Sequence, residues 1–573
     1  MRILSRKRPN RRQAIGVFSA MAAVTAAILI AAIVGPQSAG HAAAAVTHEA
    51  GTSQSLGPQI TRTNRGPTGY EVTFRYDNPT ATSVLIEGDW SFASEASEAN
   101  DENNVPASST GTSTVSPVTP PGGPILPAQW KPGDFQLQSL DMPGEEWPVA
   151  SMTKNSSGVW TYTVPLPNGW YDYEFYPNCT SASASKCTGI TDPANPPELT
   201  ACATCNQSST EPFSEVYVPD DRRYDPVDLS WQSNDLPASQ TGKIVDVPIP
   251  DTQSSTGTTN LAVYTPPGYN PKRATAYPLF VLSHGGGENE LAWADRGMVV
   301  QIVDNAIAAH EIQPMVIVMP NGVGNYTTDV TTQIIPWVEA NYDVSTSSSD
   351  RAFAGTSAYG TQANDFLFDD TTEFGYVGAW SPAGGAPTIT FTGGGATPAT
   401  PAYEAPALKQ VLGIDVAIGR YDVGGNLPQL TASTEREGFI ENGVNFRWFT
   451  ADGGHTWVFW RLALQDFLLH SVFRTTTTAA TVTSTSAGDT VAVSVTADSA
   501  EPAAPTGTAQ VYVTSKAAGD CTTGGYCYPV AVGHPVTLRG GTATITVPAS
   551  EIPAGSTVTA QYSGDNYYNA STS

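Results

Sequence analysis

Ala354-Gly355-Thr356-Ser357-Ala358-Tyr359-Gly360 is the stretch on which the reading of this chain turns. It follows Asp350-Arg351-Ala352-Phe353, a strand-forming run that enters a tight turn. A serine in a sharp strand-to-helix turn has its hydroxyl pushed clear of the backbone, where a base can reach it. The pattern for such a turn is G-x-S-x-G. Here the second glycine is displaced: Tyr359 stands in its place and Gly360 comes one residue late. The stretch nominates Ser357 as a nucleophile, and the rest of the chain has to supply its partners.

Strand and helix patterns alternate around it. Leu261-Ala262-Val263-Tyr264, Tyr277-Pro278-Leu279-Phe280-Val281-Leu282 and Met315-Val316-Ile317-Val318-Met319 read as buried strands. Amphipathic helices are expected over about 298–310 and 331–341. Such alternation implies a mostly parallel sheet with helices on both faces.

A nucleophilic serine needs a base, an acid that orients the base, and donors for the oxyanion. The chain has seven histidines. His41 and His48 lie in or beside an N-terminal targeting segment, His534 in a distal β-rich region, and His310 and His470 on helices. His284 opens His284-Gly285-Gly286-Gly287 after a buried strand, where glycines let backbone N–H groups approach a ligand, as an oxyanion loop requires. His455 remains, on the glycine-loosened loop Asp452-Gly453-Gly454-His455-Thr456-Trp457 between a strand and a helix. Asp415 and Asp422 compete as the orienting acid. Asp415 lies inside the strand run 411–419, and Asp422 follows it on the loop where sites assemble in open α/β sheets, which favours Asp422. Asp452 is too close to His455 in sequence to orient its ring.

Taken together, residues 257–474 resemble the bacterial putative-esterase family. It includes feruloyl and acetyl-xylan esterases (carbohydrate esterase family 1), esterase D-like and enterochelin esterases, and mycolyltransferases. The resemblance is carried by Val263-Tyr264-Thr265-Pro266-Pro267-Gly268-Tyr269, Leu282-Ser283-His284-Gly285-Gly286-Gly287, Pro314–Gly322, Ile335-Pro336-Trp337-Val338-Glu339-Ala340-Asn341-Tyr342, Arg351–Ser357, and Gly454-His455-Thr456-Trp457 with Trp460-Arg461. It implies an α/β-hydrolase domain over 242–474. It also implies a serine acyl-enzyme mechanism with Ser357 as nucleophile, Asp422 as orienting acid and His455 as base. The backbone N–H of Ala358 and one from Gly285 or Gly286 would serve the oxyanion, with no metal or organic cofactor. Tyr359 departs from the family, which has a small residue there, normally glycine. Either the turn tolerates it and Tyr359 shapes the acyl pocket, together with Trp457, or the site is impaired.

The flanks are β-rich. Residues 46–218 carry strand patterns at 71–76, 83–90, 158–164 and 171–176, interrupted by a low-complexity insertion at about 91–128 that reads as disordered. Gly88-Asp89-Trp90, Met152-Thr153, Gly158-Val159-Trp160, Tyr173-Glu174-Phe175 and Asp192-Pro193-Ala194-Asn195-Pro196 resemble the early-set, glycogen-binding-like immunoglobulin module that precedes many carbohydrate-active domains. Trp160 and Trp170 are candidates for sugar stacking, although aromatic residues on strands ordinarily pack in cores or interfaces. A polar linker covers 219–241. Residues 475–573 turn to Thr, Ala, Val and Gly in period-two runs, and Ala560–Tyr567 resembles bacterial immunoglobulin-like repeats of cell-surface proteins. The expected architecture is therefore multidomain, an α/β-hydrolase flanked by two β-sandwich immunoglobulin-like domains.

Composition fits this division. At 573 residues the chain is long enough for three or four domains of about 100–200 residues each. Formal net charge is -26, and only 14% of residues are charged. Arg2, Arg6, Lys7, Arg8, Arg11 and Arg12 concentrate cations at the start, so the remainder is more acidic still and should repel nucleic acid and anionic membranes. Neutral partners, an ester substrate or a polysaccharide that bears one, fit better. The basic start, the apolar run at 14–34 and Ala42-Ala43-Ala44-Ala45 read as a signal peptide over 1–45, of Sec or twin-arginine type, with an uncleaved anchor as the alternative. The mature chain is then secreted, without a membrane span and with cell-surface or cell-wall association as an option. Six cysteines suit export: Cys179, Cys187, Cys202 and Cys205 in one region, Cys521 and Cys527 in another. The first four allow three pairings or, less fittingly, a zinc site. Two other functions remain open at this stage: a non-catalytic surface protein on a hydrolase scaffold, and a cell-wall acyltransferase.

Overall fold

A computed structural model describes residues 56–94, 124–137, 147–180, 187–197, 213–322, 324–387, 390–392, 395–397, 403, 405–420, 422, 428–485, 488–499, 504–514 and 529–573. The targeting segment, most of the low-complexity stretch, and Cys202, Cys205, Cys521 and Cys527 lie outside these residues.

The centre is an eight-stranded sheet. Its strands, in chain order, are β1 (Lys243–Pro250), β2 (Thr258–Thr265), β3 (Leu279–Ser283), β4 (Val316–Pro320), β5 (Arg351–Thr356), β6 (Tyr376–Trp380), β7 (Gly413–Gly419) and β8 (Arg447–Ala451). Their spatial order is β1-β2-β4-β3-β5-β6-β7-β8. The sheet is mixed: β1 and β2 pair antiparallel, as do β2 and β4, and every pairing from β4 to β8 is parallel. β3 to β6 are buried along their whole length, so each side has to be covered. β1 is one of the two edge strands, half exposed and carrying Pro248 and Pro250, residues that an edge tolerates because they cannot donate to a ladder.

Because side chains alternate across a strand, neighbouring residues feed two separate cores. Phe280, Leu282, Ala352 and Ala354 pack with helix α1 (Val299–Ala308) and helix α5 (Trp457–His470) on one face. Leu279, Val281, Phe353 and Val416 pack with α2 (Ile335–Asn341), α3 (Ala358–Phe368) and α4 (Pro428–Asn442) on the other.

Two antiparallel sandwiches flank this domain. In the first, Gln59–Arg62, Tyr70–Asp77, Val159–Pro165 and Thr153–Lys154 face Ser214–Val218, Gly169–Pro177, Val84–Gly88 and Val149–Ser151 across one core. The ends of the expected insertion are folded. Ser91–Ala93 pairs with Phe135–Leu137, and Phe92 bridges Ile125 and is buried in the core, which corrects the expectation of disorder at those two ends; Trp130, just beyond the stretch, is buried in the same core. Trp160 and Trp170 are buried too. The Trp160 indole donates to the Asn78 carbonyl, and the Trp170 indole donates to the Gln232 carbonyl at the seam with the central domain. Cys179 and Cys187 form a disulfide. In the second sandwich, Thr476–Thr485, Gly488–Ala497 and Thr542–Val547 share a core with Val530–Thr537, Thr508–Thr514, Thr557–Tyr562 and Ser571–Thr572. Among the described residues, no helix is long and apolar enough to cross a membrane.

Candidate active site

Three side chains singled out by the sequence sit on the loops that leave the C-terminal ends of β5, β7 and β8. Ser357 follows β5 directly and precedes α3, with φ 53° and ψ -113°. This is strained backbone for a residue with a Cβ, a conformation that persists only where the surroundings hold it. They do so here. The Ser357 N–H donates to the Trp380 carbonyl at 3.0 Å, and its own carbonyl accepts from Thr361 and Ala383 at 3.1 Å each.

The displaced glycine has a steric explanation. A Cβ on Gly355 would lie 2.3 Å from the Tyr359 carbonyl oxygen, and one on Gly360 would lie 2.8 Å from the Trp380 carbonyl oxygen. Gly355 therefore lets the first turn of α3 press on β5, and Gly360 lets it press on the end of β6. Tyr359 is turned aside, with its ring 4.3 Å from Tyr326 and edge-on to His284 at 4.9 Å. The turn thus accommodates a tyrosine at this position.

His455 and Asp422 meet. His455 Nδ1 lies 3.0 Å from one Asp422 oxygen and 3.2 Å from the other, and the carboxylate is fully buried. The approach requires Gly419, where a Cβ would stand 2.4 Å from the Gly453 carbonyl oxygen. Trp460 meets the His455 ring edge-on at 5.1 Å and donates its indole N–H to the Ser381 hydroxyl just beyond β6. Asp415 has a different role. Inside β7 it accepts from the Trp380 indole at 3.0 Å and the Ser471 hydroxyl at 3.3 Å, and burial pushes its carboxyl up to about 8.

The glycine loop lies against the serine turn. A Cβ on Gly285 would be 3.6 Å from Ser357 Cβ, and one on Gly286 would be 3.3 Å from Ala358 Cβ. The Gly285 N–H is donated to Glu288 Oε2 at 2.9 Å, so an oxyanion would have to compete with that carboxylate for it. Trp457 is 1% exposed and wedged between Trp293 and Trp460, with its indole donating to Glu288 Oε1 at 2.8 Å. Glu288 escaped the sequence reading, although a carboxylate close behind three glycines was the available signal.

With this geometry in place, the similarities to known proteins can be read. Residues 252–471 match the family model described as "Putative esterase". That segment belongs to this esterase family. The chain is 32% identical over 145 residues to the endo-1,4-beta-xylanase/feruloyl esterase of Xylanibacter ruminicola, covering 22% of this chain and 20% of the relative. It is 36% identical over 114 residues to endo-1,4-beta-xylanase Y of Acetivibrio thermocellus, covering 18% of this chain and 10% of the relative. The matches thus span about a fifth and a tenth of these relatives' own length. Among solved structures it is similar to the enterochelin esterase of Shigella flexneri, at 16% identity and a TM-score of 0.41, over 73% of this chain and 95% of that one.

Proposed function

We propose that this protein is a secreted serine esterase that cleaves carboxylic esters on polysaccharide, with feruloyl or acetyl as the acyl group. The observation that carries the reading is the buried Asp422–His455 pair at the sheet rim where Ser357 occupies a strained turn. Family membership of residues 252–471 supports the reaction class, and the names of the two xylanase relatives support a polysaccharide ester as substrate.

In this reading Asp422 accepts the His455 Nδ1–H and so leaves Nε2 as the basic nitrogen. Nε2 takes the Ser357 hydroxyl proton as Oγ attacks the ester carbonyl. The tetrahedral oxyanion faces the N–H groups of Ala358 and Gly286. The alkoxide leaves with the proton from His455, and water repeats the sequence to release the acid and free the serine. Tyr359, beside His284 and Tyr326, borders the acyl side. Export through the 1–45 segment, the immunoglobulin-like nature of both sandwiches and a place at the cell surface belong to the same reading.

The test is hydrolysis of p-nitrophenyl acetate and methyl ferulate. Wild type turns over, labels with a fluorophosphonate, and loses about 10⁵-fold or more of kcat in S357A, which no longer labels. A wild-type chain that is inert across an ester panel and does not label would end the proposal.

A further inference from the structure

The loop Gly285-Gly286-Gly287, which lies against the Ser357 turn, has no side chains of its own to hold it. Gly286 and Gly287 are exposed, and Gly287 is at φ 85°. Oxyanion donors help only when they are already aimed before the charge forms, so something outside the glycines has to hold them. One carboxylate does so. Glu288 accepts the Gly285 N–H with one oxygen and the Trp457 indole N–H with the other, at 2.9 and 2.8 Å, and Arg296 Nη1 lies 3.5 Å from that second oxygen.

Arg296 leads out of the domain. Its Nε donates to Asp172 Oδ2 at 3.2 Å, and Asp172 lies on the Gly169–Pro177 strand of the amino-terminal sandwich. The side chains are 18% and 4% exposed, so the pair is shielded from water. The guanidinium also lies 5.5 Å from the Phe213 ring centroid and 6.0 Å from that of Trp147, both brought by the same sandwich. A further bond crosses the seam, the Phe213 N–H donating to Asp295 at 3.2 Å, and within the central domain Arg461 donates to the Arg296 carbonyl at 2.9 Å. Inside the sandwich, the Asp172 N–H donates to Asp89 at 3.0 Å. Burial, reinforced by Asp172, holds the Asp89 and Asp295 carboxyls well above their ordinary range; burial raises Asp172 as well, against the lowering pull of Arg296 and Arg461, and it is Asp172 that bonds to Arg296 directly.

We propose that Glu288 is a positioning residue for the oxyanion loop, and that the amino-terminal sandwich fixes Glu288 through Asp172 and Arg296. The sandwich is then part of the catalytic apparatus. This rests on the serine-esterase reading and deepens it.

Steady-state hydrolysis of p-nitrophenyl acetate by the full chain tests it, with melting temperature measured for each variant. E288Q keeps one acceptor for two donors, and its kcat falls about 10- to 100-fold with KM within about twofold, short of the 10²–10³-fold loss of a whole oxyanion donor. D172N lowers kcat about 3- to 10-fold, and the D172N/E288Q double variant is no slower than E288Q alone, because both changes act on one chain of contacts. Affinity for a phenylboronic acid, which mimics the tetrahedral adduct, falls in step with kcat; loss of packing alone would not produce that match. Should D172N melt below the assay temperature, R296K reads the same link, since its shorter side chain ends in one nitrogen and cannot span both carboxylates as the guanidinium fork does. Unchanged kcat in folded E288Q or D172N, or additive losses in the double variant, overturns the inference while S357A still reports on the esterase reading. An inert wild type removes both.

Discussion

At the scale of single residues, the choice between two aspartates is the sharpest result. Asp422 and Asp415 are equally acidic in sequence and only seven positions apart, yet one faces His455 and the other bonds to Trp380 and Ser471 inside the sheet. D422N should leave the protein folded and lower kcat by about 10³–10⁴-fold, because the amide no longer holds the imidazole in the needed tautomer. The same assay on D415N should show kcat within a few-fold of wild type. This distinction was legible in the sequence because an acid at the end of a strand points to the site and one inside it does not. The roles of Gly285 and Trp457 were not legible. Both are set by Glu288, whose side chain reaches back to one and across to the other, and contacts of that length leave no local pattern.

Strands and helices were readable where the apolar run was long. β3 and β4 show almost uninterrupted hydrophobic stretches, as strands covered on both faces must. β1 went unread because lysine, aspartate and two prolines break its alternation, and β6 because a glycine at its centre interrupts the apolar run. The helix expected over 331–341 forms only in part as an α-helix: Val330–Ile334 is π-helical before Ile335–Asn341 continues, with Pro336 at the junction removing a backbone donor. Asp415 in β7 carries a consequence for the whole sheet. Its carboxyl is raised to about 8 by burial, whereas the ordinary value of 3.8 applies once the chain unfolds. The folded state therefore keeps a proton that the unfolded state loses. That contribution to stability is complete below about pH 4 and disappears as pH rises through 8. Glu435, also raised to about 8 by burial, acts with the same sign. Melting temperature should fall between pH 5 and pH 8, and D415N should flatten the slope. A wild-type melting temperature that rises across this interval would contradict the assignment.

Across the whole molecule, the two sandwiches meet the central domain at different places. The amino-terminal one reaches the candidate site through Arg296. The carboxy-terminal one is attached through Arg474, which donates to the carbonyls of Glu311 and Asn566 at 2.7 and 2.8 Å, and through a Tyr376–Thr475 hydroxyl contact at 2.6 Å. Tyr376 begins β6, whereas Trp380, which anchors the Ser357 turn, ends it; about 13 Å of strand separates them at roughly 3.3 Å per residue. R474A should thus lower the melting temperature, by about 1–3 kcal/mol of stability for the lost charged hydrogen bonds, and leave kcat within about twofold of wild type. A tenfold drop in kcat at unchanged KM would show that the two ends of the sheet are coupled after all. Both sandwiches were legible from their period-two runs, but neither docking arrangement was, because in each an arginine meets residues more than ninety positions away.

The Arg296 guanidinium touches carboxylates from two modules at once, which bears on how such a chain can be reassembled over evolutionary time. A duplicated or borrowed front module of matching shape, but without an acid at the place of Asp172, would leave a shielded cation with half its neutralisation. Shuffling at this boundary is therefore constrained at Arg296, and lineages that exchange the module should change position 296 along with it.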